Sequence, residues 1–239
     1  MSRLPRTITP VPQVPRLTTE AYNDGILRTA ARVAYTVDSS CAAAVVSDKP
    51  VVEIIGTSGN QSRDQFRQVC IEFGTTYDTV EELPFDLDTS QATNLLGLFD
   101  GCSNLTAVSK LDTSSVTNMG AMFNRCSSLT AVPELDTSSV TNMGDMFYGC
   151  SSLTAVPELD TSSVTNMSTM FSGCSSLAYV PDLRTSSVTF MLSMFEKCSS
   201  LTDGNVRLIG KHPSVFTNQM IAGSGLTRLP FYDEQGNPI

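Results

Sequence analysis

The chain has 239 residues, enough for one repeat array with caps or for two small domains, and its apolar content of 41% is ordinary for a folded protein. Charge is uneven: residues 81–203 carry four Lys/Arg against fourteen Asp/Glu, while residues 1–80 balance at eight each. So acidic a middle repels phosphate and argues against a nucleic-acid partner.

In chain order, residues 1–17 carry four prolines and three arginines without periodicity. They read either as a disordered terminus or as an extended arm that docks on a neighbouring subunit. They contain no apolar run of the kind a secretion signal needs, and nothing beyond them is long enough to span a membrane, which predicts synthesis and folding in a cytoplasm without membrane insertion. Residues 18–84 read as a small α/β cap or anchoring domain. Thr18 or Thr19 caps a helix with Ala21, Ile26, Ala30, Val33 and Ala34 on one face, weakened by Gly25. Short strands follow at 41–46 and 50–55. Ser62 is the expected cap of a second helix, with Phe66, Val69, Cys70 and Phe73 facing inward and Gly74 as its stop.

From Leu87 a 24-residue phrase recurs five times, three of them nearly verbatim between Leu111 and Asp182, as in LDTSSVTNMGDMFYGCSSLTAVPE. A fixed period of this length means stacked repeats, each unable to bury its apolar face alone. Within a repeat, Leu129–Val132 and Val140–Met143 alternate as extended segments. Asp136-Thr-Ser-Ser139 forms a turn, and Met146, Phe147 and Cys150 fall on one side of a single helical turn. The repeats are assigned to 85–203, and residues 204–239 to an irregular C-terminal cap in which Val206, Leu208, Ile209, Val215, Phe216, Met220 and Ile221 cover the last repeat.

The phrase S-V-T-N-M-x-x-M-F-x-x-C-S-S-L-T-x-V-P resembles the BspA-like leucine-rich repeats of bacterial surface proteins, in the variant found in large mycoplasma lipoproteins. That family usually reads Ile-Gly and Ala-Phe where this chain reads Asn-Met and Met-Phe. The resemblance implies a β-rich α/β fold, a leucine-rich-repeat solenoid of about five repeats, with binding or adhesion as its role and no catalytic residues. The C-terminal segment joined to such repeats is similar to the ends of minor tail proteins of actinobacterial phages. That likeness implies a phage virion protein in several copies per particle. The N-terminal region would contact other virion proteins and the repeats a host cell-surface glycan or protein. A capsid decoration protein and a bacterial surface adhesin are the alternatives.

Three ladders recur at fixed positions. Cys102, Cys126, Cys150, Cys174 and Cys198 form a single row, which suits packing better than a metal site, since soft-metal ligands converge from several directions. Asp88, Asp112, Asp136 and Asp160 invite calcium, but the D-T-S-S turn accounts for them without an ion. Arg184 takes the fifth place, where it could pair with Asp160 and end the row. Asn94, Asn118, Asn142 and Asn166 satisfy backbone groups in the turns, and Phe190 in the fifth place is expected to pack on the C-terminal cap. No metal, no cofactor and no catalytic residue is expected: the one histidine, His212, has no nucleophile near it, and GTSGNQS lacks the lysine of a phosphate loop.

The positions that bear on binding are those where near-identical repeats differ. These include the tips Asn124-Arg125, Tyr148-Gly149, Ser172-Gly173 and Glu196-Lys197, and the change from Ala131 and Ala155 to Tyr179. Chance variation at the surface would produce the same differences. Tyr148, Tyr179, Arg125 and Arg184 are the candidate interaction residues, the tyrosines because an amphipathic ring suits a sugar or a protein.

Overall fold

The computed structural model describes residues 49–210 and 219–239. The arm at 1–17, the first helix, the strand at 41–46, and His212, Val215 and Phe216 lie outside the described residues. Regular secondary structure is sparse. The elements are β1 (Val51–Glu53), α1 (Gln61–Glu72), β2 (Asp86–Asp88), β3 (Leu183–Arg184), β4 (Leu208–Ile209) and β5 (Phe231–Tyr232). The strands form two open parallel sheets, β1-β2 and β3-β4-β5.

Most of the architecture is carried by turns that hydrogen-bond to the turns 24 residues away. Asn94, Asn118, Asn142, Asn166 and Phe190 follow one another as single parallel bridges. At the third copy the backbone divides its donors in alternation. The N–H groups of Met146, Tyr148 and Cys150 close turns on the carbonyls of Met143, Asp145 and Phe147, at 3.0–3.2 Å. Those of Met143, Asp145, Phe147 and Gly149 reach the carbonyls of Asn166, Ser168, Met170 and Ser172 in the next copy, at 2.8–3.0 Å. Every donor is used, so buried backbone costs nothing unpaired. This alternation also corrects the expected helical turn. Met146, Phe147 and Cys150 are fully buried as anticipated, but Asp145 (φ 58°) and Gly149 (φ 71°) are left-handed and break any helical run.

The core is one continuous column. Phe99, Phe123, Phe147, Phe171 and Phe195 stack face to face with centroids 5.4–5.7 Å apart and planes within 15° of parallel. At the N-terminal end α1 closes it, with the Phe66 ring meeting Phe99 edge-on at 5.0 Å. The helix ends as expected at Gly74 (φ 72°). The Thr75 N–H bonds the Cys70 carbonyl and the Gly74 N–H that of Ile71, the double bond of a glycine stop. Its start differs from expectation. Asn60, not Ser62, stands at the N-cap without a side-chain bond. Ser62, two residues further in, is buried and donates its hydroxyl to the Asn94 carbonyl, tying the helix to the first repeat.

Stacking continues past residue 203. The Phe195 N–H bonds the Met220 carbonyl, that of Lys197 bonds Ala222, and β3 pairs with β4 one residue out of step, Leu183 opposite Leu208.

Candidate interaction surface

The tips of successive repeats lie side by side. Arg125 and Tyr148 belong to neighbouring copies. The Arg125 N–H reaches the Tyr148 carbonyl at 2.6 Å, and its guanidinium lies 5.9 Å from the centre of the Tyr148 ring. Arg125 is exposed and Tyr148 half-buried, and beyond them Gly149 and Gly173 leave the backbone bare. Tyr179, 50% exposed, bridges to Ala155 on another side of the stack. Arg184 lies elsewhere again. The structure therefore brings together two of the four candidate residues, Arg125 and Tyr148, and leaves Tyr179 and Arg184 apart from them.

Arg184 makes its close ion pair elsewhere than Asp160, although its charge is among the causes, after the Ser162 hydroxyl and N–H, that hold the Asp160 carboxyl below its usual range. Its guanidinium reaches Glu234 at 3.4 Å, because the chain returns over this edge after β5. Arg207, one repeat on, bonds Asp182 at 3.1 Å and lies 4.9 Å over the Tyr232 ring. These pairs stand in a groove of about 660 Å³ whose walls also include Glu158, Asp160 and Asp233. The groove was not legible in the sequence, because it depends on the one-residue slip of β4 and on the turn after β5. The break in period at Gly204 was its only trace.

The aspartate row is held by local turns. Asp112 and Asp136 each accept the hydroxyl (2.7 Å) and the backbone N–H (3.1 Å) of the serine two residues on. The serine hydroxyl first, then the N–H, hold both carboxyls below their usual range. In the asparagine row, the Asn142 amide donates to Asn118 at 2.9 Å and that of Asn166 to Asn142 at 3.0 Å, while each side-chain oxygen takes a backbone N–H two residues on. Phe190 ends the row and, contrary to expectation, is not packed away: it is 56% exposed, with Leu192 beside it at 44%.

The thiols are buried and occupied. Those of Cys126, Cys150, Cys174 and Cys198 each donate to a phenylalanine carbonyl 27 residues earlier, at 3.0–3.1 Å. Burial pushes them up, for Cys150 and Cys198 to about 12. Among the described residues, no group of three or more His, Cys, Asp or Glu is arranged to hold a metal ion. Among them, too, no helix is long and apolar enough to cross a membrane.

A family model described as "Mycoplasma protein of unknown function, DUF285" matches residues 73–177 and, in a second overlapping match, 130–215. Together these run from 73 to 215, more than half of the chain. Nothing among curated proteins and nothing among solved structures matches it.

Proposed function

The chain belongs to the DUF285 family, and from that membership we propose that it is a non-enzymatic interaction protein, a leucine-rich-repeat solenoid that presents variable tips on an invariant core. One observation carries this reading. Positions that face inward repeat almost unchanged, whereas the tip column changes from copy to copy and sets Arg125 over Tyr148. A ring backed by a guanidinium and flanked by bare glycine backbone suits a flat, partly apolar partner such as a sugar ring or a peptide. The thiols of Cys126, Cys150, Cys174 and Cys198 support a role without chemistry, since each is sunk in the core with its proton committed to a carbonyl.

The location that agrees with the family is a bacterial surface, and the partner class is a cell-surface glycan or protein. The experiment is binding of the labelled full chain to a panel of immobilised bacterial surface glycans, with Tyr148→Ala and Arg125→Ala beside it. Retention that both substitutions weaken at least about tenfold supports the tips as the contact. Retention that neither changes removes them from the reading.

The second reading is a virion protein, a minor tail or capsid decoration protein whose N-terminal region contacts other particle proteins. It is favoured only by the likeness of the C-terminal segment to phage tail-protein ends. Mass spectrometry of purified particles tests it, and absence of the chain from them rejects it.

A further inference from the structure

One left-handed position recurs in all five copies and forms a column along one edge of the stack. Gly101, Arg125, Gly149, Gly173 and Lys197 have φ between 59° and 83°. The N–H groups of the first four reach the next copy at 2.6–2.8 Å, so the backbone fixes the column. Its members touch. A methyl added at Gly173 would stand 3.4 Å from the Gly149 Cα, and one at Gly149 would stand 3.8 Å from the Arg125 Cα. Glycine is the residue this backbone favours. Arg125 and Lys197 occupy it against that preference, and they are two of only four cations between residues 81 and 203.

The charges around the column are matched locally, with one exception. Asp100 pairs with Arg63 at 3.5 Å, Glu196 pairs with Lys197 at 3.3 Å, and Asp145 accepts the Thr169 hydroxyl. Among the described residues, no carboxylate stands within ion-pair distance of Arg125. Its exposed guanidinium has the Tyr148 ring beside it instead. Towards the N-terminal end, α1 sets Arg67 4.2 Å over the Tyr77 ring, and a methyl at Gly101 would stand 3.4 Å from that ring. The edge therefore presents two arginine–tyrosine pairs with one bare glycine between them and two beyond.

Resting on the reading of the tips as the contact, we propose that this edge binds a glycan bearing carboxylates, of the uronic-acid class. The carboxylate sits on Arg125, and the sugar ring lies over Tyr148 and the bare backbone of Gly149. A guanidinium fork matches a planar carboxylate with two parallel hydrogen bonds. The apolar face of a sugar ring suits the tyrosine. Bare glycine gives a flat floor without a pocket for a side chain, which favours a ring over a peptide. Fourteen carboxylates against four cations in residues 81–203 repel a polymer that carries sulfate or phosphate on every unit. The fitting ligand is thus one whose charges are few and spaced.

The test is binding of the full chain to immobilised hyaluronan oligosaccharides, in which a uronic acid alternates with a neutral sugar. Beside them stand the same oligosaccharides with their carboxyls reduced to alcohols, and heparin as a densely sulfated polymer. Arg125→Gly is the variant, because other copies carry glycine at that place and the fold accepts it. Lys110→Ala, which removes a cation beside Asp112 in the aspartate row, is the control. The expected retention on hyaluronan exceeds that on the reduced form and on heparin by about tenfold or more. Arg125→Gly lowers it by about tenfold or more, and Lys110→Ala leaves it unchanged. Equal retention on the reduced form overturns the proposal and leaves the tips standing as a neutral contact. No retention on hyaluronan overturns it too, as does retention on heparin that is equal or stronger. Retention on hyaluronan that Arg125→Gly leaves unchanged also overturns it, and if Tyr148→Ala leaves it unchanged as well, the reading of the tips falls with it.

Discussion

Phe147 and Phe171, 24 residues apart in sequence, lie ring over ring with centroids 5.6 Å apart and planes 10° from parallel. Phe123 covers the other face of Phe147 at the same spacing. Removing the middle ring of such a column leaves a cavity that neither neighbour can fill, because both are held by their own backbone bonds to adjacent copies. Phe147→Ala is therefore expected to cost about 3–5 kcal/mol. Tyr148→Ala, one residue on and half-exposed, is expected to cost under about 1 kcal/mol. Urea denaturation of both variants checks the ranking, and the reverse order would contradict the inward and outward assignment.

What could be read in advance was the part set by the period. Phe123, Phe147 and Phe171 recur at one phase among apolar neighbours, which marks them as inward-facing, and repetition is visible in the sequence itself. The cysteine and asparagine rows followed for the same reason. The path of the backbone between those points was not visible. Asp145 and Thr169 take left-handed conformations that their side chains do not advertise, so Met146, Phe147 and Cys150, at i, i+1 and i+4, read as helical. The partner of Arg184 was hidden for another reason. Glu234 lies 50 residues away, beyond the end of the period, and reaches Arg184 from the turn that follows β5, two strands across the sheet. Likewise the closeness of Arg125 to Tyr148 follows from stacking, but that two variable tips would touch one another could not be told from their variability.

The left-handed positions make a prediction about backbone alone. Each copy has two of them, four residues apart: Ala121 (φ 52°) and Arg125 (φ 59°) in one, Asp145 and Gly149 (φ 71°) in the next. Non-glycine residues there carry roughly 1–2 kcal/mol of strain, offset in part by the smaller entropy of their unfolded chains. Gly149→Ala should destabilise by about 1 kcal/mol. An added methyl would find its nearest neighbour at 3.8 Å, so the effect is conformational and not steric. Ala121→Gly should stabilise by up to about 1 kcal/mol, as the first copy already has Gly97 at that place. Thermal unfolding of the two variants should show shifts of opposite sign.

The aspartate turns predict a pH response at the surface. Asp136 is held below the usual carboxylate range by the Ser138 hydroxyl first and its N–H second, against the opposing charges of Asp112 and Asp160. A group whose folded value is lowered stabilises the fold above its unfolded value and loses that contribution as pH falls through the folded value. Ser138→Ala removes the larger cause. The titration midpoint of Asp136, followed by carboxyl NMR, should rise towards the ordinary value, while that of Asp112, held by its own serine, stays low. A midpoint unmoved by the substitution would mean that the backbone N–H alone holds the turn.

The thiols predict the opposite limb. Among the described residues six free cysteines are buried, one on α1 and five along the stack, and burial raises them all, Cys70, Cys150 and Cys198 to about 12. In the unfolded chain a thiol ionises near pH 8.5, roughly. Between these values the unfolded state releases protons that the folded state keeps, so stability falls as pH rises. Each thiol should contribute about 1.4 kcal/mol per pH unit to that slope. Six acting together make the protein unfold steeply in alkali, starting near pH 9, at which its exposed carboxylates no longer titrate. Cys150→Ala should flatten the slope by one thiol's share while costing some packing at neutral pH. Denaturant titrations repeated at intervals from neutral pH to about pH 11 measure both quantities. A slope unaffected by Cys150→Ala would show that the alkaline limb belongs to other groups, the lysines and tyrosines of the surface.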